Sequence, residues 1–228
     1  MNATVYKSTG SWYQVKDETG KQYNARMLGK FKIEGLTSTN PIAVGDHVVI
    51  GSDTESRDNE SEISFTITEI KKRKNYITRT SPANKHQHHI IASNLDQSLL
   101  FATLKDPKTS QGFIDRFLIT SEAYHIPSII VFNKSDLYRK KEEDKFAAVK
   151  DIYEAIGYKV LSMSIEKGDG VEAVKSLLKD KVTLLSGHSG VGKSTFINAV
   201  FPELKLKTQG VSGWSGKGWH ITRCAEMY

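Results

Sequence analysis

Up to about residue 70 the apolar positions come in short bursts that alternate with polar ones. Val5 and Tyr6 form the first burst and residues 12–15 the second. A turn signal at Asp17, Glu18, Thr19 and Gly20 separates the second from residues 22–26. Residues 41–50 carry a Gly45-Asp46 turn into another burst, and residues 63–70 alternate at period two. Short period-two strands set off by turn residues predict a small all-β barrel. Residues 51–62 are polar, without an apolar period, and read as an exposed loop. From Leu95 the pattern changes. Apolar strands at residues 97–104, 126–132, 158–163 and 182–185 alternate with helical spacing at 113–123, 142–156, 171–178 and 196–200. This alternation predicts a parallel sheet covered on both faces, with ligand loops at the carboxyl ends of its strands. The expected organisation is a barrel over residues 1–72, a basic linker over 73–94 and an α/β domain over 95–228.

The apolar run at residues 182–185 leads into Gly187, His188, Ser189, Gly190, Val191, Gly192, Lys193, Ser194 and Thr195, a G-x-x-x-x-G-K-S phosphate loop. Its glycines let the backbone turn N–H groups toward phosphate oxygens. Lys193 would reach the β- and γ-phosphates, the Ser194 hydroxyl would ligate Mg²⁺, and the following helix would present its positive end. Phe196, Ile197 and Val200 supply the amphipathic helix that the motif requires.

Upstream, another β-rich run ends in Asn133, Lys134, Ser135 and Asp136. Guanine presents two adjacent donors to a carboxylate, so Asp136 suits it. Adenine would leave Asp136 unpaired. Asn133 would support the loop and approach the base, and the Lys134 stem would cover a ring face. A third strand ends at Ser164 and Ile165, where a base-contacting loop would sit.

Composition narrows the class further. The chain has 228 residues and a single cysteine, Cys224, which excludes an internal disulfide framework and a cysteine-cluster zinc site. There is no apolar run of about 18 residues, which excludes a membrane-spanning helix. The first residues lack the layout of a secretory leader, and a cytoplasmic location is expected. A formal charge of +6 fits a nucleic-acid partner, though it equally fits a merely basic protein. The sharpest basic cluster is Lys71, Lys72, Arg73, Lys74 and, after a short strand, Arg79. With Tyr76 it could track an RNA backbone, or it could be a solvated edge. His86, His88 and His89 follow without acidic or cysteine partners at ligand spacing, so they are not expected to bind a metal.

Asn133 to Asp136 precede the phosphate loop, whereas ordinary GTPases have the reverse order. This is the arrangement of circularly permuted GTPases. With its β-rich N-terminal segment, the chain resembles over nearly its whole length the ribosome small-subunit-dependent GTPase A (RsgA, also called YjeQ) family. The resemblance implies an OB-fold for the barrel and a monomer that binds GTP with Mg²⁺, contacts rRNA and hydrolyses GTP to GDP late in small-subunit assembly. Ser164-Ile165 stands where the family usually has Ser-Ala. Lys217, Gly218, Trp219, His220, Ile221 and Thr222 resemble the family's Lys-Gly-Arg-His-Thr-Thr, with Trp219, Ile221 and Arg223 departing from it. By resemblance Thr222 is a Mg²⁺ ligand, and His220, with Lys193, is a catalytic residue that positions or activates water. The family's D-x-x-G motif and its zinc-binding domain have no counterpart before Tyr228, so the chain is expected to be a truncated member without the zinc ligands. Two other readings stand beside this one. One is a guanine-nucleotide-dependent RNA-binding module without turnover. The other is a P-loop kinase or ATPase with an accidental N-K-x-D.

Overall fold

A computed structural model describes residues 1–9, 12–27, 41–52, 65–80, 88–206 and 226–228. The chain divides into two compact units, Met1–Leu95 with Thr222–Tyr228, and Asp96–Ile221.

The first unit is built on a closed five-stranded barrel of OB type. Its strands are β1 (Asn2–Ser8), β2 (Trp12–Asp17), β3 (Gln22–Met27), β4 (His47–Ser52) and β5 (Phe65–Ile70), in the order β1-β2-β3-β5-β4. The β3–β5 pair is parallel and the others are antiparallel. Period two does what it should. Val5, Val15, Ala25, Val48, Ile50 and Ile67 point inward and are buried, while their neighbours are more exposed, except that Thr66 beside Ile67 is also buried.

The stretch expected as a basic linker, residues 73–94, holds a hairpin in the same unit. It consists of β6 (Tyr76–Thr80) and β7 (His88–Ser93), paired antiparallel. Alternation again explains it: Ile77, Ile90 and Ala92 are buried, and Ala92 forms a parallel bridge with Val44. The last described residues also belong to this unit. Met227 N donates to Tyr6 O at 2.9 Å, and Lys7 pairs with Glu226 at 2.9 Å.

Arg73 departs from its expected role as an RNA contact. Its guanidinium is nearly buried and grips the fully buried Asp46 through Nε and Nη2, both at 2.6 Å, and Nη2 also donates to Pro41 O at 2.6 Å. A cation spent on an internal carboxylate is not offered to a phosphate. Lys72 and Lys74 remain exposed, and Lys71 is half-buried.

The second unit is a parallel sheet of β8 (Gln97–Ala102), β9 (Ser128–Phe132), β10 (Lys159–Ser162) and β11 (Thr183–Ser186), in the order β10-β9-β8-β11. Helices α1 (Gln111–Ala123), α2 (Lys140–Ala155) and α3 (Val171–Ser176) connect successive strands, and α4 (Lys193–Val200) follows β11. All six residues of β8 are buried, because the strand is flanked by β9 and β11 and covered on both faces. One face packs Leu100, Ile130 and Phe132 against Ile114 and Leu118 of α1 and Val149 and Tyr153 of α2. The other packs Leu99, Phe101 and Val131 against Val174 of α3 and Phe196 and Val200 of α4. The two layers leave the strands' carboxyl ends as the place where loops converge.

Candidate functional site

Three of those loops carry the expected residues. The first leaves β11 at Gly187 (φ +138°), where an added Cβ would lie 2.3 Å from Phe101 O, so no side chain fits between the loop and β8. Gly192 (φ +99°) opens α4, and its added Cβ would lie 2.2 Å from Asn133 Nδ2 and 3.4 Å from Ile165 Cδ1. Both glycines are therefore demanded by close approach as well as by backbone conformation. Lys193 curls back over the loop, donating to Gly187 O and His188 O at 2.8 Å each. Burial pushes its ammonium below the ordinary lysine value. The His188 ring stacks on Phe113 of α1, with centroids 3.8 Å apart. Partial burial, then Lys193 and Arg116, lower the His188 pKa.

The second loop leaves β9 at Asn133, which is buried. Its N–H donates to Ala102 O at 2.9 Å, and its Nδ2 donates to Val191 O at 2.8 Å. One amide thus ties the guanine motif to the phosphate loop. Asn133 Oδ1 is buried without a hydrogen-bond partner among the described residues, as is the Tyr138 hydroxyl. Lys134 adopts φ +65° and turns the chain into the short helix Ser135–Leu137, which carries Asp136. The third loop supplies Ser164, which is buried and donates from Oγ to Asp136 Oδ1 at 2.6 Å. That hydroxyl in turn accepts Lys167 N at 3.1 Å, while Ser164 N donates to Asp169 O at 2.9 Å.

Asn133, Lys134, Asp136, Ser164, Ile165 and the phosphate loop therefore meet at one end of one sheet. Ser194 and Thr195 sit in the first turn of α4. The donor set fits a nucleotide with its cation: a glycine cradle, a hydroxyl at a helix start, and an orphaned buried acceptor beside the base motif. Among the described residues no group of three or more His, Cys, Asp or Glu could hold a metal by itself. His220 and Thr222 lie outside the described residues, and so does the side chain of Arg79.

Two features went unread in the sequence. One is Phe113 as the stacking partner of His188. The other is the β8–α1 loop, whose Asp106 carbonyl accepts Lys134 Nζ. The Asp106-Pro107 dipeptide was the signal available for a turn there. A cavity of about 170 Å³ opens beside this loop, floored by Leu104, Ile114, Phe132 and Val149 and rimmed by Lys108 and Lys145. None of the nucleotide motifs lines it.

A phosphate loop and N-K-x-D turn on one parallel sheet, in this chain order and behind an OB barrel, define a circularly permuted P-loop GTPase. Comparison with known proteins agrees. The family model described as RsgA GTPase matches residues 70–228, and that of the RsgA N-terminal domain matches residues 2–58. The chain belongs to the RsgA GTPase family. The small ribosomal subunit biogenesis GTPase RsgA of Flavobacterium psychrophilum is 50% identical over 228 residues, which is 100% of this chain and 69% of that protein. Its namesake from Cytophaga hutchinsonii is also 50% identical, over 100% of this chain and 73% of that protein. Among solved structures, YjeQ from Thermotoga maritima superposes with a TM-score of 0.70 at 32% identity, covering 91% of this chain and 67% of that one. YloQ, described as a circularly permuted GTPase, gives 0.61 at 31% identity, covering 89% and 64%.

Proposed function

We propose that this chain binds GTP and hydrolyses it to GDP in the biogenesis of the small ribosomal subunit. The observation that carries the reading is the Asn133–Val191 bond, which joins a guanine-selective turn to a phosphate loop within one unit. Asp136, held by Ser164, accepts the guanine donors. Asn133 sets the spacing between base and phosphates. The stem of Lys134 lies along the ring, and the loop from Gly187 to Thr195 cradles the phosphates. Lys193 exchanges its two carbonyl partners for β- and γ-oxygens and stabilises the charge that develops as water attacks the γ-phosphorus. Mg²⁺, held by Ser194 and by Thr222, would neutralise phosphate charge. His220 positions the attacking water.

The basic side of the first unit, with Lys71, Lys72, Lys74 and Arg79, contacts rRNA, and the protein acts as a monomer in the cytoplasm, where subunits are assembled. No described helix is long and apolar enough to cross a membrane. The relatives' names favour turnover over a binding module that lacks it. Their family also argues against an ATP enzyme with an accidental N-K-x-D.

The test is GTP turnover with and without purified small ribosomal subunits at fixed salt, against a Lys193→Ala control. Stimulation by the subunit is expected. Turnover that never exceeds the control would overturn the hydrolytic reading.

A further inference from the structure

The loop from Thr103 to Ser110 carries none of the nucleotide motifs, yet it is stitched shut. Thr103 N donates to Thr109 Oγ1 at 3.0 Å, and Thr109 N donates back to Thr103 O at 2.8 Å. Thr103 Oγ1 donates to Pro107 O. Both threonines are buried. Ser110 then caps α1 by accepting Phe113 N at 3.3 Å. The neck of the loop is thus closed by reciprocal bonds, and its exposed tip is Asp106. The Asp106 carbonyl accepts the ammonium of Lys134, the residue that turns the guanine motif through φ +65°.

A non-glycine residue in that conformation persists when its surroundings hold it. Lys134 is held at both ends. Its backbone lies in the turn that Leu137 N closes by donating to Lys134 O at 3.0 Å, and its head is on the loop. Burial lowers its pKa, while the charges of Asp106 and Asp136 oppose that shift.

We propose that the Thr103–Ser110 loop is a strap that positions Lys134, and that Thr103 and Thr109 are positioning residues for guanine-nucleotide binding. This rests on the guanine-site reading above. A free lysine stem is rotamer-rich, and ordering it on ligand entry opposes binding. A stem already pinned at its head avoids that loss and lies ready along the ring. The strap therefore acts on the base half of the site and leaves the phosphate half alone.

The test measures the dissociation rate of a fluorescent GDP analogue from Thr109→Ala and Thr109→Ser, each in wild-type and Lys134→Ala backgrounds. Tripolyphosphate competition reports on the phosphate half. Thr109→Ala should speed dissociation about fivefold, the effect of one lost hydrogen bond. Thr109→Ser should restore the rate. In the Lys134→Ala background Thr109→Ala should change nothing further, and tripolyphosphate affinity should hold throughout. Equal effects in both backgrounds, or a parallel loss of tripolyphosphate affinity, would show a merely structural loop and overturn the proposal. So would an unchanged rate.

Should Thr109→Ala not fold, the near-isosteric Thr103→Val, which removes the bond from Thr103 Oγ1 to Pro107 O, tests the same strap. It should speed dissociation about two- to fivefold in the wild-type background and not in Lys134→Ala. An unchanged rate in the wild-type background overturns the strap. An Asp136→Asn arm separates the two levels. If that variant keeps guanine selectivity, the site reading itself fails. If it loses selectivity while the loop variants behave as wild type, the strap alone fails.

Discussion

Two carboxylates, one in each unit, show what separates a structural acid from a binding one. Asp46 in the barrel unit is fully buried and saturated. It accepts Arg73 Nε and Ser93 Oγ at 2.6 Å through one oxygen, and Arg73 Nη2 at 2.6 Å and Ala43 N at 2.8 Å through the other. Asp136 in the GTPase unit is half-buried and, among the described residues, accepts a single side-chain bond, from Ser164 at 2.6 Å. A carboxylate has about four lone-pair sites. Asp46 has filled its sites from within the protein, so removing it strips the nearly buried Arg73 of its carboxylate and Ala43 N of this acceptor. Asp136 keeps acceptor capacity for a ligand, and its one bond fixes its direction.

The contrast is sharpest in Asp46→Ala. Breaking a buried pair by removing one partner costs about 3–5 kcal/mol, and chemical denaturation should show a loss of that size. Nucleotide selectivity in whatever fraction stays folded should not change. A loss under about 1 kcal/mol would mean that Arg73 is readily solvated and that the pair is not the barrel's clasp. Asp136→Asn should do the reverse, weakening GTP by roughly 100-fold relative to ATP in a competition assay while the thermal midpoint barely moves. If this variant unfolds instead, the two acids are not different in kind.

Ser164→Ala probes the single bond that aims Asp136. It should weaken GDP and GTP alike by about five- to tenfold, as measured by calorimetry, without altering the Mg²⁺ dependence. An unchanged affinity would show that the carboxylate aims itself.

The smallest effect concerns His188. Its pKa is lowered chiefly by partial burial, so the folded chain disfavours the proton that the unfolded chain accepts. The stability this contributes is fully present above the ordinary histidine value of about 6.5 and is lost as the pH falls through the lowered folded value. Between pH 8 and pH 5 the nucleotide-free wild type should therefore lose slightly more thermal stability than His188→Gln, by at most about 2 °C. Parallel curves would remove His188 from the balance.

Much of the site was legible because its chemistry is local. Gly187, Gly192, Lys193 and Ser194 occur at fixed offsets after an apolar run, and Asn133 and Asp136 end another such run. The β-strands and helices of the second unit followed from a change of apolar period at Leu95. The hairpin of β6 and β7 was partly hidden. A short strand before Arg79 was readable, but the polar, histidine-bearing stretch that precedes Ile90 looked like linker, since it carries no run of apolar residues. Arg73 was misread for a related reason. In a run of Lys71, Lys72, Arg73 and Lys74 nothing local marks which cation turns inward, and its partner Asp46 lies 27 residues away.

Local spacing and period were enough to read a barrel followed by a circularly permuted α/β fold, because the motifs and strands that mark it each depend on residues a few positions apart. Tertiary structure decided what depends on distant pairs. It turned Arg73 inward and brought Asn133 to Val191 across 58 positions and Ser164 to Asp136 across 28. It also set Phe113 against His188 and carried the Asp106 carbonyl to Lys134. A hydrogen bond is formed or lost over a few tenths of an ångström, and only the packed sheet holds two remote loops at that separation.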